Sequence, residues 1–86
     1  MGFTFSRHAE EQLIRRSLDR RLVEDVVLHP EQVLYDESDD AIRIYQSIVK
    51  EGGKVFLYRV FVNTKLQPMM IVTLYRTTKI AKYYEG

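Results

Sequence analysis

The first group in this chain able to move a proton near neutral pH is a histidine two residues into a helix. Phe3-Thr4-Phe5-Ser6-Arg7-His8-Ala9 reads as a short strand followed by a helix start. Ser6 is a good N-cap, because its hydroxyl can take up an otherwise unpaired backbone N–H, and Glu10 and Glu11 sit where the helix dipole favours negative charge. His8 then lies at the positive end of that dipole, where the local potential favours neutral imidazole over imidazolium. Neutral imidazole is the form that accepts a proton. The plain structural reading is a polar helix residue bonded to a nearby carbonyl, and spacing alone leaves that reading ahead.

Few other groups have suitable chemistry: His29, a perturbed carboxylate, or a shifted tyrosine. Metal-free RNA cleavage matches this inventory. The ribose 2′-hydroxyl attacks the adjacent phosphate, one group removes its proton, another protonates the departing 5′ oxygen, and cations stabilise the charge on phosphorus. His29 has an ordinary role in the last turn of a helix, where a histidine can bond free carbonyls. For the tyrosines the default is cross-strand packing with the hydroxyl at the surface, and Arg16, Arg59 and Arg76 can serve as plain ion-pair partners. No phosphate loop, nucleophile elbow or metal-binding helix is present.

The elements that position these groups follow from periodicity. A first helix spans about Ser6 to Ser17. On it His8, Gln12, Arg15 and Arg16 share a polar sector beside an Ala9 and Leu13 stripe, and Ile14 points away, half exposed. A second helix starts at the Asp19 cap, with Leu18 and Val23 as a hydrophobic staple, buries Leu22, Val23, Val26 and Val27, and stops at His29 before Pro30. The period then changes to two. Gln32 to Tyr35 is a short strand and 36–40 a polar turn. Ile42, Ile44 and Ile48 alternate with Arg43, Tyr45 and Ser47 on a half-buried strand. Glu51-Gly52-Gly53-Lys54 is a hairpin signal, followed by a central strand from Val55 to Val62 whose Val55, Leu57, Phe61 face Arg59 interrupts.

A last strand, Met69 to Arg76, should show Ile71, Thr73 and Tyr75 on one face and Val72, Leu74 and Arg76 on the other, and Thr77 is placed to cap a short terminal helix. Helices followed by a meander make an α+β domain over 1–86. The helices cover one sheet face; the open face carries Arg43, Tyr45 and Ser47 or their equivalents on neighbouring strands.

Composition bounds the function. An 86-residue chain with 45% hydrophobic residues is one small domain. It has no cysteine and two histidines, which excludes a disulfide framework and makes a poor metal-site case; no metal and no cofactor are expected. No apolar run is long enough to cross a bilayer and the start lacks a signal-peptide core, so the expectation is no membrane association and a cytoplasmic location. The net charge of +1 is unevenly spread. Residues 31–53 carry Glu31, Asp36, Glu37, Asp39, Asp40 and Glu51 against Arg43 and Lys50. Residues 54–86 carry Lys54, Arg59, Lys65, Arg76, Lys79 and Lys82 against Glu85 alone. The last third is a candidate anion-binding surface. A solvated charged surface is the ordinary alternative.

The pattern Phe5-Ser6-x-His8-Ala9 with Arg16 eight residues after the histidine, Leu18, a helix ending at Pro30, and Val72-Thr73-Leu74-Tyr75-Arg76-Thr77-x-Lys79 before Lys82-Tyr83 resembles a family of small bacterial domains. That family is grouped with the RelE-like ribonuclease toxins, in a superfamily that also takes in barnase-like and EndoU-like nucleases. The resemblance covers nearly the whole chain and is moderately specific at its two ends. It implies two helices on a four-stranded antiparallel sheet and an endoribonuclease of a toxin–antitoxin pair. Family positions fall on His8, Arg16, Thr73, Tyr75, Arg76 and Lys79. The family often has arginine where this chain has Gln12, and glycine where it has Ser17.

Together these readings give His8 as general acid or base, Tyr75 or Thr73 as its partner or as a donor to the phosphate, and Arg16, Arg59, Arg76 and Lys79 as backbone clamps. RNA and a cognate antitoxin are the expected partners, and a homodimer is left open. A non-catalytic RNA-binding or protein-interaction module on the same fold is the alternative. A third reading is a purely protein-binding subunit that uses Tyr83 and Tyr84 or a sheet edge.

Overall fold

The computed structural model describes residues 2–86. Ser6 has extended geometry and its hydroxyl accepts from the Ala9 amide at 3.0 Å, which starts α1 (Arg7–Arg15). Asp19 caps α2 (Arg20–Leu28) through the Arg21 amide, and His29 closes that helix with its own N–H donating to the Asp25 carbonyl. Both helices are amphipathic as their spacing requires. Ala9 and Leu13 of α1 and Val23, Val26 and Val27 of α2 are buried, while Ile14 is not half exposed but points fully outward. Leu18, between the helices, is buried in the same core as Val23, as expected of the staple.

The strands are β1 (Phe3–Phe5), β2 (Gln32–Tyr35), β3 (Ile42–Glu51), β4 (Lys54–Asn63) and β5 (Met69–Thr77). They form one sheet in the order β1-β5-β4-β3-β2. The implied four-stranded antiparallel sheet is therefore corrected to five strands with one parallel pair, because Phe3, Thr4 and Phe5 lie parallel to Met69, Met70 and Ile71. The Ser6 amide extends that pairing by donating to the Ile71 carbonyl at 2.8 Å. Gly52 and Gly53, at φ +54° and +82°, form the two-residue turn between β3 and β4 that needs positive φ at both positions.

Both helices cover one face, against Tyr58, Val60, Val62, Ile71 and Leu74, with Tyr45 and Val49 at the margin. Tyr45 and Ser47 thus lie under the helices rather than on the open face, and the open face carries Ile44, Gln46, Leu57, Arg59 and Phe61. Ile42 and Ile44 are buried on this side of the sheet, outside the cluster beneath the helices. A bulge between Phe61 and Val62 on β4 also changes β5. Phe61 pairs with Thr73 but Val62 pairs with Ile71, leaving Val72 as the extra residue. Ile71 and Leu74, three apart, consequently both face the core, and Thr73 and Tyr75 do not share a face with Ile71.

At the end of α1, Ser17 takes the left-handed conformation at φ +52°, and the amides of Ser17 and Leu18 return to Ile14 and Leu13. A residue with a Cβ is strained there. Ser17→Gly is expected to raise the urea midpoint at unchanged m, by about 1 kcal/mol of stability. Thr77 does not cap the terminal helix. It ends β5 with its hydroxyl accepting from the Lys79 amide, and Lys79 itself occupies the cap of α3 (Ile80–Tyr83). No helix among the described residues is long and apolar enough to cross a membrane.

Candidate functional site

The site is assembled where α1 meets β5. Ser6 makes the join: the hydroxyl that caps α1 also donates to the carbonyl of the bulged Val72 at 3.0 Å. The first turn of α1 is thereby fixed against the residue preceding Thr73. His8 Nε2 and Thr73 Oγ1 are 3.1 Å apart.

A side-chain relay along α1 sets the histidine tautomer. Arg16 Nε donates to Gln12 Oε1 at 2.7 Å, and the amide nitrogen of Gln12 lies 3.2 Å from His8 Nε2. Arginine has no acceptor, so the amide oxygen must face Arg16 and the amide N–H₂ must face His8. An N–H at Nε2 would oppose that donor. The neutral ring is therefore protonated on Nδ1, with its lone pair on Nε2 shared between Gln12 and the Thr73 hydroxyl. These side chains are all exposed or half-buried, so Nε2 stands at the surface as an acceptor. Gln12, which departs from the resembled pattern, couples Arg16 to the histidine.

Two residues beyond Thr73 on β5, Tyr75 lies beside Arg59 on the central strand. Arg59 is only 8% exposed, yet among the described residues no carboxylate pairs with it. Its Nε donates to Gln46 Oε1 at 2.9 Å and one terminal nitrogen to Tyr75 Oη at 2.8 Å. The guanidinium carbon lies 4.3 Å from the Tyr83 ring centroid, 5.5 Å from that of Phe61 and 5.9 Å from that of Tyr75. Gln46 is fully buried, and its amide nitrogen donates to Gln32 Oε1 and to the Tyr83 carbonyl. The guanidinium is thus held flat by neutral acceptors and aromatic rings, with its charge uncancelled. Because Arg59 donates to the Tyr75 oxygen, the phenol's own proton is free to point elsewhere.

His8, Thr73, Tyr75 and Arg59 therefore form one tract across the open side of β5 and β4, with Arg16 reaching it through Gln12. Lys79 lies two residues beyond β5 and is exposed, and among the described residues its side chain has no hydrogen-bond or ion-pair partner. Arg76 is set apart. It faces the helix side opposite Tyr58, stacks 4.4 Å over Phe56 and donates to Glu51 Oε1 at 2.7 Å, as the ion-pair reading anticipates. Tyr58 donates to the same carboxylate oxygen at 2.7 Å. Burial and then that hydrogen bond push the Tyr58 phenol from 10 up to about 12. The fold favours the protonated phenol, so its contribution is complete below pH 10 and is lost as pH rises from about 10 to about 12. Urea unfolding across that window should show the natural chain losing stability relative to Tyr58→Phe.

His29 is a capping residue that lines a small cavity with Asp25, Glu31 and Ser47 beneath α2. The sequence places Gln12 in the polar sector of α1 and marks it as a departure from the resembled pattern but does not show its contact with His8, and Gln46 is a functional residue that sequence reasoning missed. The signal for Gln46 was present, as a polar residue in line with Ile44 and Ile48 where an apolar one continues the pattern. A shallow groove of about 930 Å³ continues from Arg59 toward β2, with Phe61, Ile44 and Leu34 along it and Asp36, Glu37, Lys82 and Glu85 among its charged lining residues. Comparison with protein-family models, curated proteins and solved structures finds no match to this chain.

Proposed function

We propose that this chain is a metal-independent endoribonuclease of the RelE-like kind, the toxin of a toxin–antitoxin pair. The observation that carries the chemistry is His8 Nε2 at the surface within hydrogen-bond distance of Gln12 and Thr73, on the same side of the sheet as the Arg59 guanidinium, with which no carboxylate pairs among the described residues. The family assignment rests on the residue resemblance at the two ends of the chain.

In the reaction, the ribose 2′-hydroxyl takes the place of the Thr73 hydroxyl at His8 Nε2. The oxygen attacks phosphorus as its proton passes to the imidazole, and the bond from phosphorus to the 5′ oxygen breaks. The Tyr75 phenol gives its proton to that leaving oxygen, and the imidazolium later returns one to the phenolate through water. The products end in a 2′,3′-cyclic phosphate and a 5′-hydroxyl. Arg59, itself only 8% exposed, meets the charge that builds on the phosphoryl oxygens, and a cation already fixed in place needs no reorganisation to do so. Thr73, released from His8, donates to the same phosphate. Arg16 and Lys79 engage flanking phosphates, and the acids at the far end of the groove turn the RNA toward the α1 side.

Incubation of the purified chain with RNA in EDTA tests the reading: fragments with cyclic phosphate ends support it, and intact RNA overturns it. RNA bound with a steep salt dependence yet left whole would identify the non-catalytic module instead.

A further inference from the structure

The sheet has one free edge of consequence, and it lies away from His8. β2 is paired on one side only, with β3. The amide of Asp36 donates to the Ile42 carbonyl across that ladder. In an antiparallel ladder the inward-bonding residues alternate, so Gln32, Leu34 and Asp36 bond toward β3 and the N–H and C=O groups of Val33 and Tyr35 face outward. The Val33 and Tyr35 side chains are 45% and 73% exposed on the helix side, with Arg43 stacked 4.3 Å over the Tyr35 ring. On the open side, the groove reaches β2, where Asp36, Glu37 and Glu85 outnumber the exposed Lys82 and the nearly buried Arg59 at the groove's other end.

From this edge we infer that β2 is a docking strand for an extended segment of a partner polypeptide with alternating apolar residues and flanking lysine or arginine. Such a strand completes the outward hydrogen bonds of Val33 and Tyr35. Alternate side chains then fall beside Val33 and Tyr35 on one face and over Leu34 and the groove on the other. Its basic flanks meet Glu31, Asp36, Glu37 and Glu85. A second copy of this chain is opposed by charge in the register that uses the outward groups of both Val33 and Tyr35. The two-fold antiparallel register that pairs Val33 with Tyr35 of the other copy centres on Leu34 and sets Glu31 against Glu37 twice. The proposal is independent of RNA cleavage, because β2 contributes none of the residues assigned to that chemistry.

Val33→Pro tests it with little cost to the fold, since it removes an outward N–H that no internal bond uses, and proline is accepted on an edge strand of that geometry. The probe is a synthetic peptide, Lys-Arg-Val-Thr-Val-Lys-Val-Arg, followed by amide chemical shifts and hydrogen exchange of the full chain. The expected result is saturable binding with a Kd below about 1 mM, with the Val33 and Tyr35 amides protected, a loss of at least about tenfold in Val33→Pro and retention in Val33→Thr. The same peptide with glutamate for lysine and arginine should not bind. No binding at about 1 mM, equal binding by Val33→Pro, protection confined to other amides, or a concentration-dependent dimer through β2 would each overturn the proposal.

Discussion

Replacing His8 by alanine is expected to lower RNA cleavage by about 10² to 10⁴-fold while leaving the fold in place, the range a single positioned acid–base group supplies. The side chain is exposed, and its two hydrogen-bonding neighbours, Gln12 and Thr73, can turn to water, so removal leaves no buried polar group without a partner. The measurement is single-turnover cleavage of a labelled RNA in EDTA, alongside urea unfolding of the same variant. Unchanged cleavage in a folded His8→Ala chain would sink the mechanism. A loss of cleavage matched by a loss of RNA binding would reassign His8 from proton transfer to phosphate contact. The mechanism requires that binding survive, because the cations that hold the backbone are on other residues.

The location of His8 was legible in the sequence because it is set locally. A cap at Ser6, a polar sector one turn wide and an apolar stripe at Ala9 and Leu13 are all written within eight residues. Its neighbours were less legible. That Thr73 reaches His8 depends on the extra residue at Val72, and no local pattern in Met69 to Thr77 distinguishes a bulged strand from a regular one. Strict alternation put Ile71, Thr73 and Tyr75 together, and the bulge separates the first from the other two.

The parallel pairing of β1 was hidden for a related reason. Three residues suffice to suggest a strand, but their partner lies more than sixty residues away and is selected by the completed sheet. Which face of β3 meets the helices was misread because both faces carry large side chains: Ile44 and Ile48 look like the core set, while Tyr45, Ser47 and Val49 occupy the helix side. Arg59 is visible in the sequence as an interruption of an apolar strand face, whereas its pairing with Gln46 is set by the β3–β4 register, which no local pattern in either strand specifies.

Arg59 is the residue whose removal should separate function from stability most clearly. A nearly buried guanidinium with no carboxylate beside it has given up hydration for neutral acceptors and aromatic faces, a poor exchange for stability alone. Arg59→Met keeps most of the volume but leaves Gln46 Oε1 buried without its donor, so a loss of about 1 to 3 kcal/mol is expected. Adding Gln46→Leu removes that orphan but also withdraws the donor to Gln32 Oε1 and to the Tyr83 carbonyl, so only part of the stability should return. RNA cleavage should fall at least about 10²-fold in the single variant and remain low in the partly recovered double variant, because the missing element is the positive charge at the phosphate. Urea midpoints and single-turnover rates on the two proteins separate the outcomes. If the double variant regains both stability and cleavage, Arg59 is a structural clasp for Tyr75 and Tyr83 and the phosphate contact lies elsewhere. If stability returns and cleavage does not, the charge is retained for the ligand, and the cost of burying it is offset only when an anion arrives beside Tyr75.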